Sequence, residues 1–369
     1  MTCSKRLYSL DLIKTAAIIC ICALHFPWCG DIEFHTQMTA LGAVRRFFFA
    51  FNSCAVPLFM AVNGALLLNR PFDAKKHLKN TVMLFLQYIF WRAVTVIAIF
   101  AYTGSDFSAY NLTTWVNELL FLNDLIPVRL NHLWFMPMLI CIYVWLPLLK
   151  AAFDRLDADA NGLWLIMPFM GAIVIFGFLF EDFTLVSHHF PVLEAAKLGG
   201  WQLFLPLSGS RYCSMLLYFL MGGLLLKYKD SLDGISSYIF AALIALSLVL
   251  LYIEWHFESS YSGDTYDNVF LSYDNLPCLL LTGSVFVLGL RCEGFLAGRK
   301  KLCAVLKAVG SNTMSVYYFH WILASTVFEY LHVADGLLFN FLKGALLTAI
   351  CVLISLVFKK IPVLKRLVH

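Results

Sequence analysis

The sequence predicts an all-α fold, a polytopic membrane helical bundle of about ten transmembrane helices. Three observations carry this expectation. Of 369 residues, 61% are hydrophobic and only 14% are charged, well outside the balance of a soluble domain. Apolar runs long enough to cross a bilayer recur along the whole chain, with short polar segments between them. When the amino terminus is placed inside and the sides alternate, 19 of the 27 Lys and Arg residues fall on the inner side. That bias is the one the positive-inside rule describes, and it puts both termini in the cytoplasm. No polar block is long enough for a separate soluble domain, so residues 1–369 read as one membrane-embedded domain.

The elements follow in order. The first span is Leu10 to Trp28. A secretory signal competes for this stretch, since Lys5 and Arg6 suit its charged start. Lys14 interrupts the apolar run, however, and Cys29-Gly30-Asp31 is a poor cleavage site, so the segment reads as a retained helix. The second span is Phe47 to Asn69, closed by Arg70-Pro71-Phe72. Lys75, Lys76 and Lys79 read as a basic loop before a third span, Thr81 to Tyr102, which contains Arg92. A polar stretch, Thr103 to Asn131, precedes the fourth span, His132 to Leu149. Leu163 to Phe180 is the fifth, followed by a polar segment holding His188 and His189. The sixth, Leu203 to Leu226, is broken early by Pro206 and Gly209. Ile235 to Trp255 is the seventh, and an acidic loop separates it from the eighth, Leu276 to Leu290. Lys300 to Val309 has the pattern of a short amphipathic surface helix. Thr313 to Tyr330 and Phe341 to Phe358 are the ninth and tenth spans, and the tail is basic.

Ionisable residues inside such spans are costly and by default mark a functional site. The first span carries Asp11, Lys14 and His25. At ~100° per residue, Lys14 and His25 fall within ~20° of each other on the helix, separated by roughly 16 Å of rise. One face thus holds a charged pair towards the inner surface and an imidazole towards the outer one. Asp11 and Lys14, as i, i+3 partners, either neutralise each other or serve a ligand. Arg92 has no obvious partner in its span, and His320 lies within the ninth. Each has a packing reading, an interhelical hydrogen bond, beside a functional one. Arg45, Arg46, Arg129, His132 and Arg211 gather at the outer ends of spans, where they face either an acidic ligand or lipid headgroups. Trp134 and Trp201 are placed to stack on sugar rings or to sit as interfacial aromatics. The Asn63-Gly64 pair reads as a close helix crossing. The eleven cysteines show no C-x-x-C pair and no metal-ligand spacing with histidine, and His188-His189 lack a third ligand, so no metal site is expected. Nothing in the charge pattern suggests a nucleic-acid partner.

Four strings, LDLIKTAAIICICALH, VPLFMAVNGALLL, NHLWFMPMLICIYVWLPLL and SNTMSVYYFHWIL, together resemble the membrane acyltransferases of the acyltransferase 3 family, in order and over nearly the whole chain. The resemblance implies transfer of an acyl group, usually acetyl (from acetyl-CoA), from cytoplasmic acyl-CoA to a hydroxyl of a glycan or similar acceptor facing outwards, such as a lipid-linked glycan. It also implies a catalytic histidine ten intervening residues after an arginine in the first span. His25 matches the histidine, and Lys14 stands where the arginine is expected. Lysine keeps the charge and lacks the planar fork that grips phosphate.

The resulting expectation is an O-acyltransferase in a bacterial inner membrane, in contact with membrane lipids. His25 is its general base, because an imidazole titrates near working pH. His320 assists it, Asp11, Lys14 and Arg92 serve the donor, and Arg45, Arg129, His132, Trp134 and Arg211 serve the acceptor. A transporter or exporter of a polar solute or glycan, lined by the same residues, is the alternative. A structural subunit of envelope glycan assembly is a third class.

Overall fold

The computed structural model describes residues 6–26, 40–120, 131–158, 162–187, 189–190, 211–262, 273–330 and 337–368. In chain order the helices are α1 (Tyr8–Leu24), α2 (Ala40–Asn52), α3 (Ala55–Leu68), α4 (Ala74–Thr103), α5 (Leu112–Leu119), α6 (Phe135–Ala158), α7 (Gly162–Ile173), α8 (Phe180–Ser187), α9 (Arg211–Lys227), α10 (Lys229–Asp233), α11 (Ser237–Ser262), α12 (Leu276–Arg291), α13 (Glu293–Ala297), α14 (Lys300–Gly310), α15 (Thr313–Ala324), α16 (Val327–Tyr330), α17 (Leu337–Phe358) and α18 (Pro362–Lys365). A π-helical turn, Val174–Leu179, joins α7 to α8, and a 3-10 turn, Asn131–Trp134, leads into α6.

Among the described residues, seven helices are long and apolar enough to cross a membrane, fewer than the ten expected. The difference lies at three places. α1 and α9 have 17 described helical residues each. The expected ninth span is broken: α15 stops at Ala324, and the Ser325-Thr326 turn separates it from α16. There the Thr326 hydroxyl donates to the Ile322 carbonyl at 2.6 Å.

Helix ends explain the other departures. Lys75, Lys76 and Lys79 form the first turns of α4 rather than a loop, because Asp73 caps the helix and accepts from the Lys76 backbone N–H. α4 then runs 30 residues to Gly104, whose φ of 66° is the left-handed closure that glycine favours. Glu181 and Asp182, expected in a loop, sit in α8 because the π-turn carries the helix on. The expected amphipathic helix is α14.

α1 occupies the centre, packed against α3, α12, α14, α15 and α17. α3 and α9 cross so closely that a Cβ on Gly64 would lie 1.7 Å from the Phe219 carbonyl oxygen, and one on Gly222 would lie 1.9 Å from that of Ala61. Gly64 is therefore a packing residue, as small residues are where helices meet in a membrane. The outer helices instead expose large apolar side chains such as Trp164, Leu246 and Leu353, a surface suited to lipid.

Candidate active site at the two ends of the central helix

α1 presents two polar groupings. At its N-terminal end Asp11 is 3% exposed, and its carboxylate is gripped from both sides. Arg6 donates to it through Nε at 2.6 Å and through an Nη at 3.0 Å. Lys14 Nζ lies 3.4 Å from it and donates to the Gly310 carbonyl at 2.7 Å. Gly310 ends α14, so Lys14 meets the negative end of that helix. Arg6 also reaches the Ser311 hydroxyl at 2.6 Å, and Lys359 reaches the Ser311 carbonyl at 3.2 Å. Burial, and to a smaller extent the charge of Lys365, lowers the Lys359 pKa below the usual lysine value. A Cβ on Gly310 would lie 2.4 Å from Asp11, so only glycine lets the carboxylate in. Asp11 and Lys14 are thus an ion pair, with Arg6 a third member that the sequence reading did not connect to them.

At the other end the helix closes at Leu24, and His25 is its C-cap. Its ring meets two side chains of α15. The His25 and His320 centroids are 5.0 Å apart, and His25 stands nearly perpendicular to Trp321 at 4.9 Å. His132, from the turn before α6, completes the group. It lies 5.6 Å from His320 and stacks on Trp321 at 5.4 Å with 14° between planes. Tyr317 fixes this turn by donating to the His132 carbonyl at 2.6 Å. Helical spacing explains why α15 supplies so much: Tyr317, His320 and Trp321 are at i, i+3 and i+4 and share one face.

The hydrogen bonding of this group is incomplete. His320 Nδ1 lies 3.0 Å from the Val316 carbonyl, which can only accept, so Nδ1 carries the proton. In the neutral ring Nε2 is then a bare lone pair. That atom is buried without a hydrogen-bond partner among the described residues, as are both ring nitrogens of His132 and the Trp321 indole N–H. Leaving a buried polar group unpaired costs about 1–3 kcal/mol. Four such atoms on three adjoining side chains make this the place where a polar ligand would gain most.

The remaining predicted residues lie elsewhere. Arg92 is not alone: its guanidinium bonds the Glu118 carboxylate at 2.6 Å and the Glu118 carbonyl at 2.8 Å. Both side chains are buried, and the pair ties α5 back onto α4. Trp134 stacks on Tyr273 at 5.6 Å. Arg46 is buried beside the Trp255 ring at 4.8 Å. Arg129 and Trp201 lie outside the described residues, as do the side chains of Arg45 and Arg211. His189 bonds the Phe257 carbonyl at 2.8 Å, and His188 lies outside the described residues. Among the described residues, no group of His, Cys, Asp or Glu is arranged to hold a metal ion. Trp321 and Glu118 were not singled out from sequence. Trp321 follows His320 directly, and Glu118 is an acid in a short amphipathic helix beside a span with an unmatched arginine.

These features define an all-helical, multi-pass membrane protein in which three imidazoles, two of them buried, meet at one end of its central helix. The acyltransferase 3 family, described as an acyltransferase domain, matches residues 7–360, and the chain belongs to that family. Membership carries an acyltransferase role in a membrane protein. No curated protein and no solved structure matches the chain.

Proposed function

We propose that the protein moves an acyl group, most simply acetyl, from cytoplasmic acyl-CoA to a hydroxyl of a glycan or glycolipid on the other side of a bacterial inner membrane. The observation that carries this reading is the meeting of His25 with His132 and His320 at one end of a helix whose other end is positively charged. In this reading the chain crosses about ten times. α1, α9 and the α15–α16 pair join the seven longer helices, and both termini are cytoplasmic.

His25 is the general base. It removes the acceptor hydroxyl proton as that oxygen attacks the thioester carbon, and later returns the proton to the departing thiolate. As the imidazolium forms, the His25 ring turns an N–H onto the unpaired Nε2 of His320, which steadies it. His132 faces the acceptor. Lys14 and Asp11, with Arg6 and Lys359, hold positive charge where the donor phosphates enter. Arg92, tied to Glu118, supports the wall of the path rather than gripping the donor. Trp134 and the arginines at positions 45, 129 and 211 remain on the acceptor side. Holding both substrates in one passage supplies much of the rate.

The test is free-thiol release from acetyl-CoA by the purified protein in lipid, with candidate glycan acceptors, for wild type and His25→Ala. Acceptor-stimulated release that vanishes in the variant supports the reading. No release from folded wild type across a broad acceptor panel overturns it and makes solute transport the next assay.

A further inference from the structure

We propose that Trp321 is a catalytic residue whose indole N–H donates a hydrogen bond to the thioester carbonyl oxygen of the acyl donor. The proposal rests on the acyltransferase reading and adds the electrophilic half of the site.

Acyl transfer needs two kinds of group. A base must take the hydroxyl proton, and a donor must meet the negative charge that develops on the carbonyl oxygen. The imidazoles suit the first task. His25 must begin with a free lone pair to act as base. His320 has spent its Nδ1 proton on the Val316 carbonyl, so Nε2 offers only a lone pair to the site. Neither of these two supplies a hydrogen to an oxyanion, and the one N–H of a neutral His132 is turned in this reading to the acceptor. The Trp321 indole nitrogen is a donor and nothing else, at every pH of interest. It is buried and has no acceptor among the described residues. The protein thus keeps an unpaired N–H in the wall of its imidazole cluster, at a cost of about 1–3 kcal/mol. A carbonyl oxygen arriving with the substrate removes that cost, and an oxyanion removes more of it.

The ring positions fit the division of labour. Trp321 stands at 83° to His25 with 4.9 Å between centroids, so the indole and the base lie edge to face within one cluster. Stacking on His132 at 5.4 Å fixes the plane of the indole. Pre-fixed donors stabilise a transition state without reorganising.

The step balances. The acceptor oxygen forms a bond to the thioester carbon, and its proton goes to His25. The C=O π pair moves onto oxygen, where the Trp321 N–H is donated to it. Collapse restores C=O, breaks the C–S bond, and the thiolate takes the proton back from His25. Ester and free CoA thiol are the products.

Two donor analogues test the assignment without turnover. One is the dethia ketone, in which CH2 replaces the sulfur of acetyl-CoA and the carbonyl remains. The other is ethyl-CoA, a thioether without that oxygen. Trp321→Phe is expected to weaken ketone binding about tenfold, the worth of one hydrogen bond, and to leave ethyl-CoA binding unchanged. Its kcat for transfer is expected to fall about 100-fold or more, with KM for the donor rising by no more than the ketone's loss of affinity. Equal ketone binding by variant and wild type overturns the role of Trp321 while leaving the acyltransferase reading in place. Wild type that binds neither analogue overturns both. Should the Phe variant fail to fold, the unmutated protein decides. A downfield move of the Trp321 indole N–H resonance with the ketone, and none with ethyl-CoA, supports the proposal, and its absence overturns it.

Discussion

The two ends of α1 solve opposite problems with similar materials. At the N-terminal end Arg6, Asp11 and Lys14 are charged, yet all have close partners and Asp11 is buried among them. At the C-terminal end His25, His132, His320 and Trp321 adjoin one another, and four of their polar atoms have no partner among the described residues. The comparison teaches that charge within a membrane span is a weaker guide to chemistry than unmet hydrogen bonding. A paired charge can be a structural rivet, and Arg92 with Glu118 is one. An unpaired buried donor or acceptor needs a reason to persist, and a substrate is one.

Replacing His25 by Ala gives the largest expected effect. Acyl transfer should fall by about 10²–10⁴, the usual worth of a general base. The melting temperature should hardly move, because among the described residues no side-chain hydrogen bond anchors the His25 ring. Thiol-release kinetics beside thermal unfolding in detergent check both halves. A large fall in stability would mean that the C-terminal end is structural after all.

Glu118→Ala should show the reverse pattern. It removes the carboxylate that neutralises a buried guanidinium, and breaking such a pair costs about 3–5 kcal/mol of stability. The protein that remains folded should keep most of its kcat. A lost kcat with unchanged stability would move Arg92 into the donor site.

His132→Phe sharpens the contrast further. It removes two unpartnered ring nitrogens while keeping a flat ring against Trp321. The expected result is a protein more stable by about 1–3 kcal/mol and slower in transfer, measured on the same preparation. A destabilised variant would show that those nitrogens have partners in solution.

Lys14→Arg should do least. Its partners, the Asp11 carboxylate and the Gly310 carbonyl, are acceptors that a guanidinium also satisfies. Stability should shift by no more than about 0.5 kcal/mol, and KM for acetyl-CoA by less than about threefold. A larger change in KM would show that this family position distinguishes lysine from arginine in donor binding.

Much of this protein was legible in its sequence because membrane insertion leaves a strong one-dimensional signal. Apolar length located the seven long helices, and Lys14 and His25 fell on one element, with His25 as its C-cap. Local chemistry was readable too, in Gly64 as a close crossing and Lys300–Gly310 as a surface helix. Helix ends were less so: the Asp73 cap and the π-turn at Val174–Leu179 moved boundaries that hydropathy alone placed elsewhere.

Partners were decided only by the tertiary structure. Apolar periodicity does not say which helix lies next to which, so nothing in the sequence joined Arg6 to Asp11 and Ser311, or Arg92 to Glu118. Nor did it bring His132, from the turn before one helix, onto Trp321 in the middle of another. Hydropathy depends on each residue's own transfer free energy, whereas hydrogen-bond satisfaction depends on geometry between residues far apart in the chain. The sequence determined a membrane bundle with ionisable groups on its first helix. Folding in three dimensions decided which of those groups are paired, as Asp11 and Lys14 are, and which, like His25, meet only the rings of neighbouring side chains.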